Sequence, residues 1–399
     1  MATTYIWQRA DWPNFRWNAA RLLAPLAEAR YRQGLFLGRM SDIGIDAQLE
    51  AELTALSEDV VKTSAIEGEI LNPVSVRSSI ARRLGIPDAG LMPTDRKVEG
   101  VVDIIMDATK KYAAPLTAER IFGWHAALFP TGYSGTEKIN VAQWRTDRLG
   151  AMQVVANVFS PTPTIHYEAP PARRVAADMA AFLEWFNADQ GLDPLLRTGL
   201  AHLWFVTIHP MDDGNGRIAR AVADLAVAQA ERTGQRFYSM SAAIERDKNH
   251  YCNALEAAQR GDLDITDWLV WFTACYTRAI LSAEAVMERV VSKARFWTVH
   301  AERPFNNRQR KALGKLLEGV EGFITTKKWC GMCGCSPDTA QRDIAELVDL
   351  GILERNPGAG RGTSYRFNWP PRPAPAAASE DLPTPPEDEN DEGFSITPR

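Results

Sequence analysis

His209-Pro-Met-Asp-Asp-Gly-Asn-Gly-Arg-Ile-Ala-Arg220 is the stretch of this 399-residue chain that decides its fold. It joins an apolar helical pattern to a second helical pattern, and Gly214 and Gly216 allow the backbone to approach an anion closely. Amides at the start of the second helix would point at that anion. Arg217 and Arg220 lie three residues apart on this helix, so both can face one polyphosphate. The segment therefore predicts an anion-binding loop between two helices.

Two other side chains of the segment bear on chemistry. Asp213 is a hard oxygen ligand of the kind that magnesium needs beside phosphates. His209 is the one local side chain that can take up a proton near pH 7. We therefore expect a site that holds a polyphosphate with Mg2+ and accepts a proton.

Two plainer interpretations compete with this one. A calcium-binding loop needs a glycine at its sixth position and a bidentate glutamate at its twelfth. Aligning Gly216 with that glycine puts Val222 at the glutamate position, and aligning Gly214 puts Arg220 there, so the calcium interpretation fails. The other is a loop before a helix with solvated arginines, which two arginines alone would favour but the whole segment does not.

The segment resembles the signature of the Fic family, H-P-F-x-[D/E]-G-N-G-R-x-x-R, at every fixed position but one. Met211 stands where phenylalanine is usual. One apolar side chain replaces another there, so we expect activity to be kept. The resemblance implies transfer of AMP from ATP to a Tyr, Thr or Ser hydroxyl of a target protein, which could include the enzyme itself.

The resemblance also implies a role for each residue of the signature. His209 would deprotonate the hydroxyl that attacks the α-phosphorus, and Asp213 would hold Mg2+ beside the leaving pyrophosphate. Asn215 and the amides near Gly214 and Gly216 would hold the α-phosphate. The β- and γ-phosphates would be bound by Arg217 and Arg220.

Two other segments resemble parts of the same family. Arg145–Asn157 is similar to the flap, a hairpin that holds the target by strand addition, and the residues bordering the nucleotide would be Val154, Val155, Ala156 and Asn157. Tyr251 to Gln259 is similar to the helix that lines the adenine and ribose pocket, with Gln259 standing where asparagine is common. Taken alone, a tyrosine such as Tyr251 is more often a core residue than a ligand.

Thr63-Ser-Ala-Ile-Glu67-Gly68 resembles the inhibitory motif of the family, [S/T]-x-x-x-E-[G/N]. Thr63 and Glu67 lie four residues apart and so share a helix face. In the resemblance this glutamate pairs with Arg220 and competes with the γ-phosphate for its guanidinium. A glutamate on an amphipathic helix is otherwise usually solvated, and the alternative role at this site is to orient water for removal of AMP.

The pattern along the chain is mainly α, with a short β-hairpin at residues 152–167. We expect an N-terminal helical domain at residues 1–93, with the inhibitory helix at about 55–68, and a Fic catalytic domain at 94–285. A winged-helix domain at 303–368 and a disordered, acidic tail at 370–399 complete the chain. The helices expected in the middle of the chain are Thr117–Phe129, Ala172–Ala188, Pro194–Ile208, Ile218–Arg232, Lys248–Arg260 and Ile265–Ser282.

The unit at 303–368 is richer in basic residues than the chain as a whole, whose net charge is −5. DNA binding through residues 336–366 would use Thr339, Gln341 and Arg342 on a recognition helix and Arg361 on the wing. The expected presence of Asp338 and Asp343 on that face favours the alternative, a module that docks protein or forms dimers. A third possibility is a transcription regulator in which the Fic core only senses nucleotide.

Composition limits the setting of the protein. We find no apolar run of roughly 18 residues and no signal-peptide pattern, so no membrane partner is expected. Five cysteines are an odd number that fits a reducing, cytoplasmic location. The Cys330–Cys335 cluster lacks a fourth ligand, which makes zinc improbable. We expect a homodimer with ATP and a target protein as partners.

Overall fold

The computed structural model describes residues 4–86, 95–148, 150–156, 164–317, 322–357 and 363–369. The chain divides into two compact units, Met1–Val291 and Ser292–Arg399. The division falls between the predicted end of the catalytic segment at 285 and the predicted start of the winged-helix segment at 303. The described part of the chain is mainly helical with small antiparallel hairpins, as the sequence predicts.

In the first unit the helices are α1 Ala19–Asp42, α2 Ile45–Ile66, α3 Pro73–Arg83, α4 Arg96–Lys110, α5 Ala118–Leu128, α6 Ala172–Asn187, α7 Pro194–Ile208, α8 Asn215–Glu231, α9 Met240–Arg246 and α10 Lys248–Arg260. Helix α11, Thr266–Val299, begins in this unit. The strands are β1 Tyr133–Ser134, β2 Glu137–Lys138, β3 Gln153–Ala156 and β4 Thr164–Glu168.

Helices α7 and α8 form the centre of the first unit. Every residue of 195–208 except Arg197 is buried, because α7 is apolar around its whole circumference and therefore suits a core position. Asp193 caps α7 by accepting the amides of Leu195 and Leu196, and Pro194 occupies the first helical position. The two helices pack against each other, so the loop between them has a fixed place in the core.

Helix α2 brings the N-terminal residues onto this core. It packs against α9, α3 and α8. Its buried residues include Leu53, Leu56 and Val60, which belong to the same cluster as Phe205 and Val222. The predicted N-terminal and catalytic segments thus share one hydrophobic core within the first unit.

Two paired strands lie where the short β-hairpin was predicted, and the role of this hairpin as a flap stays a prediction. Strand β3 pairs with β4 in antiparallel fashion, with Val154 opposite Tyr167 and a register shift between Val154 and Val155. A second hairpin, β1 with β2, was not predicted because two residues per strand leave no alternating pattern to recognise.

Two boundaries of the expected helices differ from the structure by three residues or more, and one helix was not expected at all. Helix α8 begins at Asn215 rather than Ile218, because Gly214 adopts a φ of 78° that lets the helix start at once. Helix α11 continues to Val299 instead of ending near Ser282, since the sequence 266–299 contains neither proline nor glycine. The short helix α9 was not predicted. None of the described helices is both long enough and apolar enough to cross a bilayer.

The second unit contains α12 Asn307–Leu317, α13 Thr326–Cys333, α14 Pro337–Asp349, β5 Leu353–Arg355 and β6 Tyr365–Phe367. Ser336 caps α14 and Pro337 occupies its first helical position. Trp329 and Ile344 lie in its core. This order of helices and strands is the one on which the winged-helix prediction rests, and that assignment stays a prediction.

One prediction for this unit is wrong. Asp343 is buried rather than exposed, because its carboxylate accepts from Arg308 at 2.9 Å and from Asn306 at 2.9 Å. Gln341 and Arg342 are exposed on α14, and Thr339 is half-buried. The wing residue Arg361 and the predicted tail at 370–399 lie outside the described residues.

Candidate active site

His209 ends α7 in the left-handed conformation, with φ 52° and ψ 59°. For a residue other than glycine this conformation costs about 1–2 kcal/mol, and it characteristically marks functional sites. Arg145 holds the turn in place: its Nε donates to the carbonyl of His209 at 2.7 Å, and its backbone amide donates to Pro210 at 2.9 Å. The imidazole is therefore fixed at the mouth of the loop.

The ring of His209 is set up as a proton acceptor. Its Nδ1 lies 3.3 Å from the carbonyl oxygen of Val206. A carbonyl can only accept, so Nδ1 carries the proton and Nε2 keeps its lone pair. Burial, together with the charge of Arg145, lowers the pKa of His209 to about 4, although the Val206 contact acts in the opposite direction. The base form is therefore populated throughout the physiological pH range.

Asn215 braces the loop instead of pointing outward. Its side-chain oxygen accepts the amide of Met211 at 2.9 Å, and its side-chain nitrogen donates to the Met211 carbonyl at 2.9 Å. Met211 is fully buried, which explains why an apolar residue is needed at that position. A Cβ on Gly214 would lie 2.9 Å from the Phe129 ring, so only glycine fits there. No side chain caps the start of α8.

The carboxylate of Asp213 is held by two donors. The amide of Gly214 donates to its Oδ1 at 2.6 Å, and the hydroxyl of Ser134 on β1 donates to its Oδ2. His125 adds a contact from its Nε2 to the Asp213 carbonyl at 3.2 Å, while its Nδ1 accepts the amide of Ala142. The carboxylate therefore has a fixed orientation beside the start of α8.

This donor set fits magnesium that is shared with phosphates. Among the described residues, no three His, Cys, Asp or Glu side chains converge into a cluster that could hold a metal. Mg2+ commonly keeps several waters and binds one or two carboxylates plus substrate phosphates. A single oriented carboxylate, that of Asp213, matches this mode.

Both arginines of the motif are buried, and both are paired with glutamates. Arg217 Nη1 donates to Glu69 Oε2 at 2.8 Å, and its guanidinium lies 5.2 Å from the centre of the Phe129 ring. Arg220 Nη2 donates to Glu67 Oε1 at 2.7 Å. The side chains of the arginines are 7% and 2% exposed, whereas those of Glu69 and Glu67 are 40% and 36% exposed. The carboxylates thus lie on the solvent side of the two cations.

Thr63 and Gly216 complete the surroundings of Arg220. Arg220 Nε donates to the hydroxyl of Thr63 at 2.7 Å, and Nη2 also donates to the Thr63 carbonyl at 2.9 Å. A Cβ on Gly216 would lie only 2.2 Å from Glu67 Oε1. The Glu67 carboxylate therefore rests directly against the backbone of the first turn of α8.

The predicted nucleotide-side residues line up along α10 and the flap. Tyr251 is buried, and its hydroxyl lies 3.0 Å from Nε2 of His202, a buried histidine whose pKa burial lowers to about 3. Gln259 Nε2 reaches Thr207 Oγ1 at 3.4 Å. On β3, Val154 is exposed and Val155 half-buried, and the backbone of Ala156 ends the strand. Asn157 lies outside the described residues.

Sequence reasoning missed the site contacts of four residues, namely Arg145, His125, Ser134 and Glu69. Three of them contact the loop across gaps of more than 60 positions, and no local pattern signals such contacts. Glu69 could have been found, because it follows Glu67 by two residues, with only Gly68 between them. Helical spacing directed attention to Thr63 and Glu67 only.

Comparison with known proteins finds family models that match two stretches of this chain. The Fic/DOC family model matches residues 115–227, and a model described as a domain of unknown function (DUF4172) matches residues 5–86. Protein adenylyltransferase fic-1 of Caenorhabditis briggsae is 33% identical over 91 residues, which are 22% of this chain and 17% of that protein. Uridine 5'-monophosphate transferase of Xanthomonas campestris pv. campestris (strain 8004) is 30% identical over 122 residues, 29% of this chain and 21% of that protein.

This chain spans about a fifth of the length of these curated relatives. A crystal structure of a Fic family protein from Desulfovibrio desulfuricans G20 shares the fold, with a TM-score of 0.50 at 16% identity, over 87% of this chain and 95% of that one. The range matched by the family model contains His209–Arg220 together with His125, Ser134 and Arg145. This chain therefore carries a domain of the Fic/DOC family.

Proposed function

We propose that this protein transfers AMP from ATP to a Tyr, Thr or Ser hydroxyl of a protein, and that Glu67 restrains the reaction. The observation that carries the proposal is the loop itself. A histidine with a free Nε2, an oriented carboxylate and two buried arginines meet at the uncapped N-terminus of α8. Two related proteins are named as nucleotide transferases, one of AMP and one of UMP, which supports the same class of reaction.

Each residue has one task in this reaction. The target hydroxyl gives its proton to Nε2 of His209, and its oxygen forms a bond to the α-phosphorus while the bond to the pyrophosphate oxygen breaks. The first-turn amides of α8 stabilise negative charge on the α-phosphate. Arg217 and Arg220 bind the β- and γ-phosphates and so orient the leaving group. Mg2+, when bound by Asp213, supplies further charge stabilisation there.

Restraint follows from the pairing of Arg220. Its Nε and Nη2 donate to Thr63 and Glu67, so the groups that a γ-phosphate needs are already engaged. A carboxylate and a phosphate cannot both occupy the same fork of donors. ATP must displace Glu67 before its γ-phosphate can reach Arg220.

Incubation with ATP labelled at the α-phosphate, Mg2+ and a lysate as target source tests the proposal. We expect weak labelling of protein by the wild type, at least about tenfold more by Glu67→Gly, and none by Glu67→Gly/His209→Ala. UTP labelled in the same position is the parallel arm, because one relative transfers UMP. Label from UTP alone would replace AMP by UMP in the proposal, and no label from either nucleotide would refute transfer.

Removal of AMP is the second candidate, and the position of Glu67 favours it. The carboxylate lies against the first turn of α8 and is close enough to His209 to raise its pKa. Such a carboxylate could orient a water for attack on a phosphodiester. A pre-modified target distinguishes the two, since Glu67→Gly would lose activity in removal and gain it in transfer.

A further inference from the structure

The end of α2 fixes two carboxylates relative to each other. The amide of Gly68 donates to the Ala65 carbonyl and the amide of Glu69 to the Ser64 carbonyl, both at 3.0 Å. Together with a φ of 83° at Gly68, these two bonds form a Schellman motif. Glu67 and Glu69 are therefore the two neighbours of Gly68 within one hydrogen-bonded turn.

The turn delivers one carboxylate to each phosphate-binding arginine. Glu67 pairs with Arg220 at 2.7 Å and Glu69 pairs with Arg217 at 2.8 Å. Both glutamates come from this one turn, and both arginines with which they pair are almost fully buried. Two negative charges thus occupy the places where the proposed reaction requires the β- and γ-phosphates.

We propose that Glu69 is a second inhibitory carboxylate, and that the turn 64–69 acts as a single two-charge block of the triphosphate site. The physiological role of this block rests on the proposed function, whereas its effect on the affinity for ATP can be measured without any transfer. Release of Glu67 alone leaves Arg217 paired with Glu69. Full access of ATP requires the whole turn to withdraw.

The contribution of Glu69 is moderate because its side chain is 40% exposed and solvent screens the pair. We therefore expect a change of roughly fivefold in the dissociation constant of ATP when Glu69 is neutralised, which is the upper range for a partly exposed pair. We expect this change in the dissociation constant to be clearest in Glu67→Gly, because Arg220 can then bind the γ-phosphate.

The test is equilibrium dialysis of labelled ATP with Mg2+ against the full-length protein. Glu67→Gly is compared with Glu67→Gly/Glu69→Gln. The matched control is Glu67→Gly/Glu50→Gln, because Glu50 also lies on α2 and pairs with an arginine, Arg77, but far from the motif in sequence. Thermal unfolding of each variant checks that the fold is kept.

We expect the Glu69 variant to bind ATP about fivefold more tightly than Glu67→Gly, and the Glu50 variant to bind it equally tightly. Equal binding by all three proteins, or weaker binding by the Glu69 variant, would overturn the inference. The labelling assay separates this result from the proposed function. Tighter ATP binding without any labelling would refute transfer and keep the block, whereas labelling without a Glu69 effect would do the reverse.

Discussion

Arg220 occupies the decisive position at the scale of single residues. It is buried, yet its guanidinium reaches two groups of the N-terminal region, Thr63 and Glu67, and it lies in the second turn of α8. Its partner Glu67 faces solvent and touches the backbone at Gly216. A phosphate arriving from solvent would therefore meet the carboxylate before it meets the arginine.

The pH dependence of the reaction tests His209 at the same scale. Because its pKa lies at about 4, the histidine is neutral, and so able to accept a proton, at any pH well above that value. Protonation would stop the reaction only as the pH falls towards 4. In Glu67→Gly, where a negative charge that raises this pKa is gone, we expect the labelling rate at saturating ATP and Mg2+ to be nearly equal at pH 7.5 and 5.5. A loss of about tenfold over this interval would mean an ordinary histidine pKa of about 6.5 and would contradict the description of the site.

At the scale of elements, the close approach of α4 and α5 supports the site, because α5 carries His125, which contacts the carbonyl of Asp213. A Cβ on Gly100 of α4 would lie 2.0 Å from the backbone oxygen of Ala127 on α5, the helix that also carries His125. Backbone atoms cannot move aside cheaply, so we expect Gly100→Ala to lower the free energy of unfolding by about 2–3 kcal/mol. Denaturant unfolding measures this change.

Gly123→Ala is the matched control for that substitution. Gly123 lies on α5, is exposed and has no atom within 4 Å of the added methyl group. Alanine is the better helix former, so the control should gain about 0.5–1 kcal/mol. Equal effects at both positions would show that α4 and α5 are not packed as described.

The elements that sequence could predict are those with a strong local signal. Helix α7 is predicted by Asp193-Pro194, which favour a helix start, and by the mainly apolar sequence that follows. The motif after this helix predicts the loop. The pairing of Glu67 with Arg220 follows from the family resemblance, and the structure contains it.

Contacts that depend on the packing of distant segments could not be predicted. Ser134 reaches Asp213 from a two-residue strand, and Asp343 is buried because Arg308 of α12 and Asn306, just before that helix, donate to it. In both cases the sequence suggests a polar side chain exposed to solvent. The residue that binds this side chain comes from another part of the chain, and only the fold brings the two together. The role of Glu69 depends on a glycine turn that helical periodicity does not describe.

At the scale of the whole molecule, the N-terminal helices and the motif helix α8 share one core, so the turn 64–69 is part of the folded unit. A ligand that binds only the native state stabilises it by about 2.7 kcal/mol at a hundredfold excess over its dissociation constant. Wild-type protein, with both arginines paired, binds ATP weakly in this account. We therefore expect ATP with Mg2+ to raise the melting temperature of Glu67→Gly clearly more than that of the wild type. Equal shifts in both proteins would indicate that Glu67 does not obstruct ATP.

The central claim is that Arg220 serves either Glu67 or the γ-phosphate of ATP. The most direct measurement is the initial rate of label transfer from α-labelled ATP to protein by wild type, Glu67→Gly and Glu67→Gly/Arg220→Ala. We predict that Glu67→Gly exceeds the wild type by at least about tenfold and that the added Arg220→Ala removes the gain. Equal rates for the wild type and Glu67→Gly, or a full rate in the double variant, would contradict the claim.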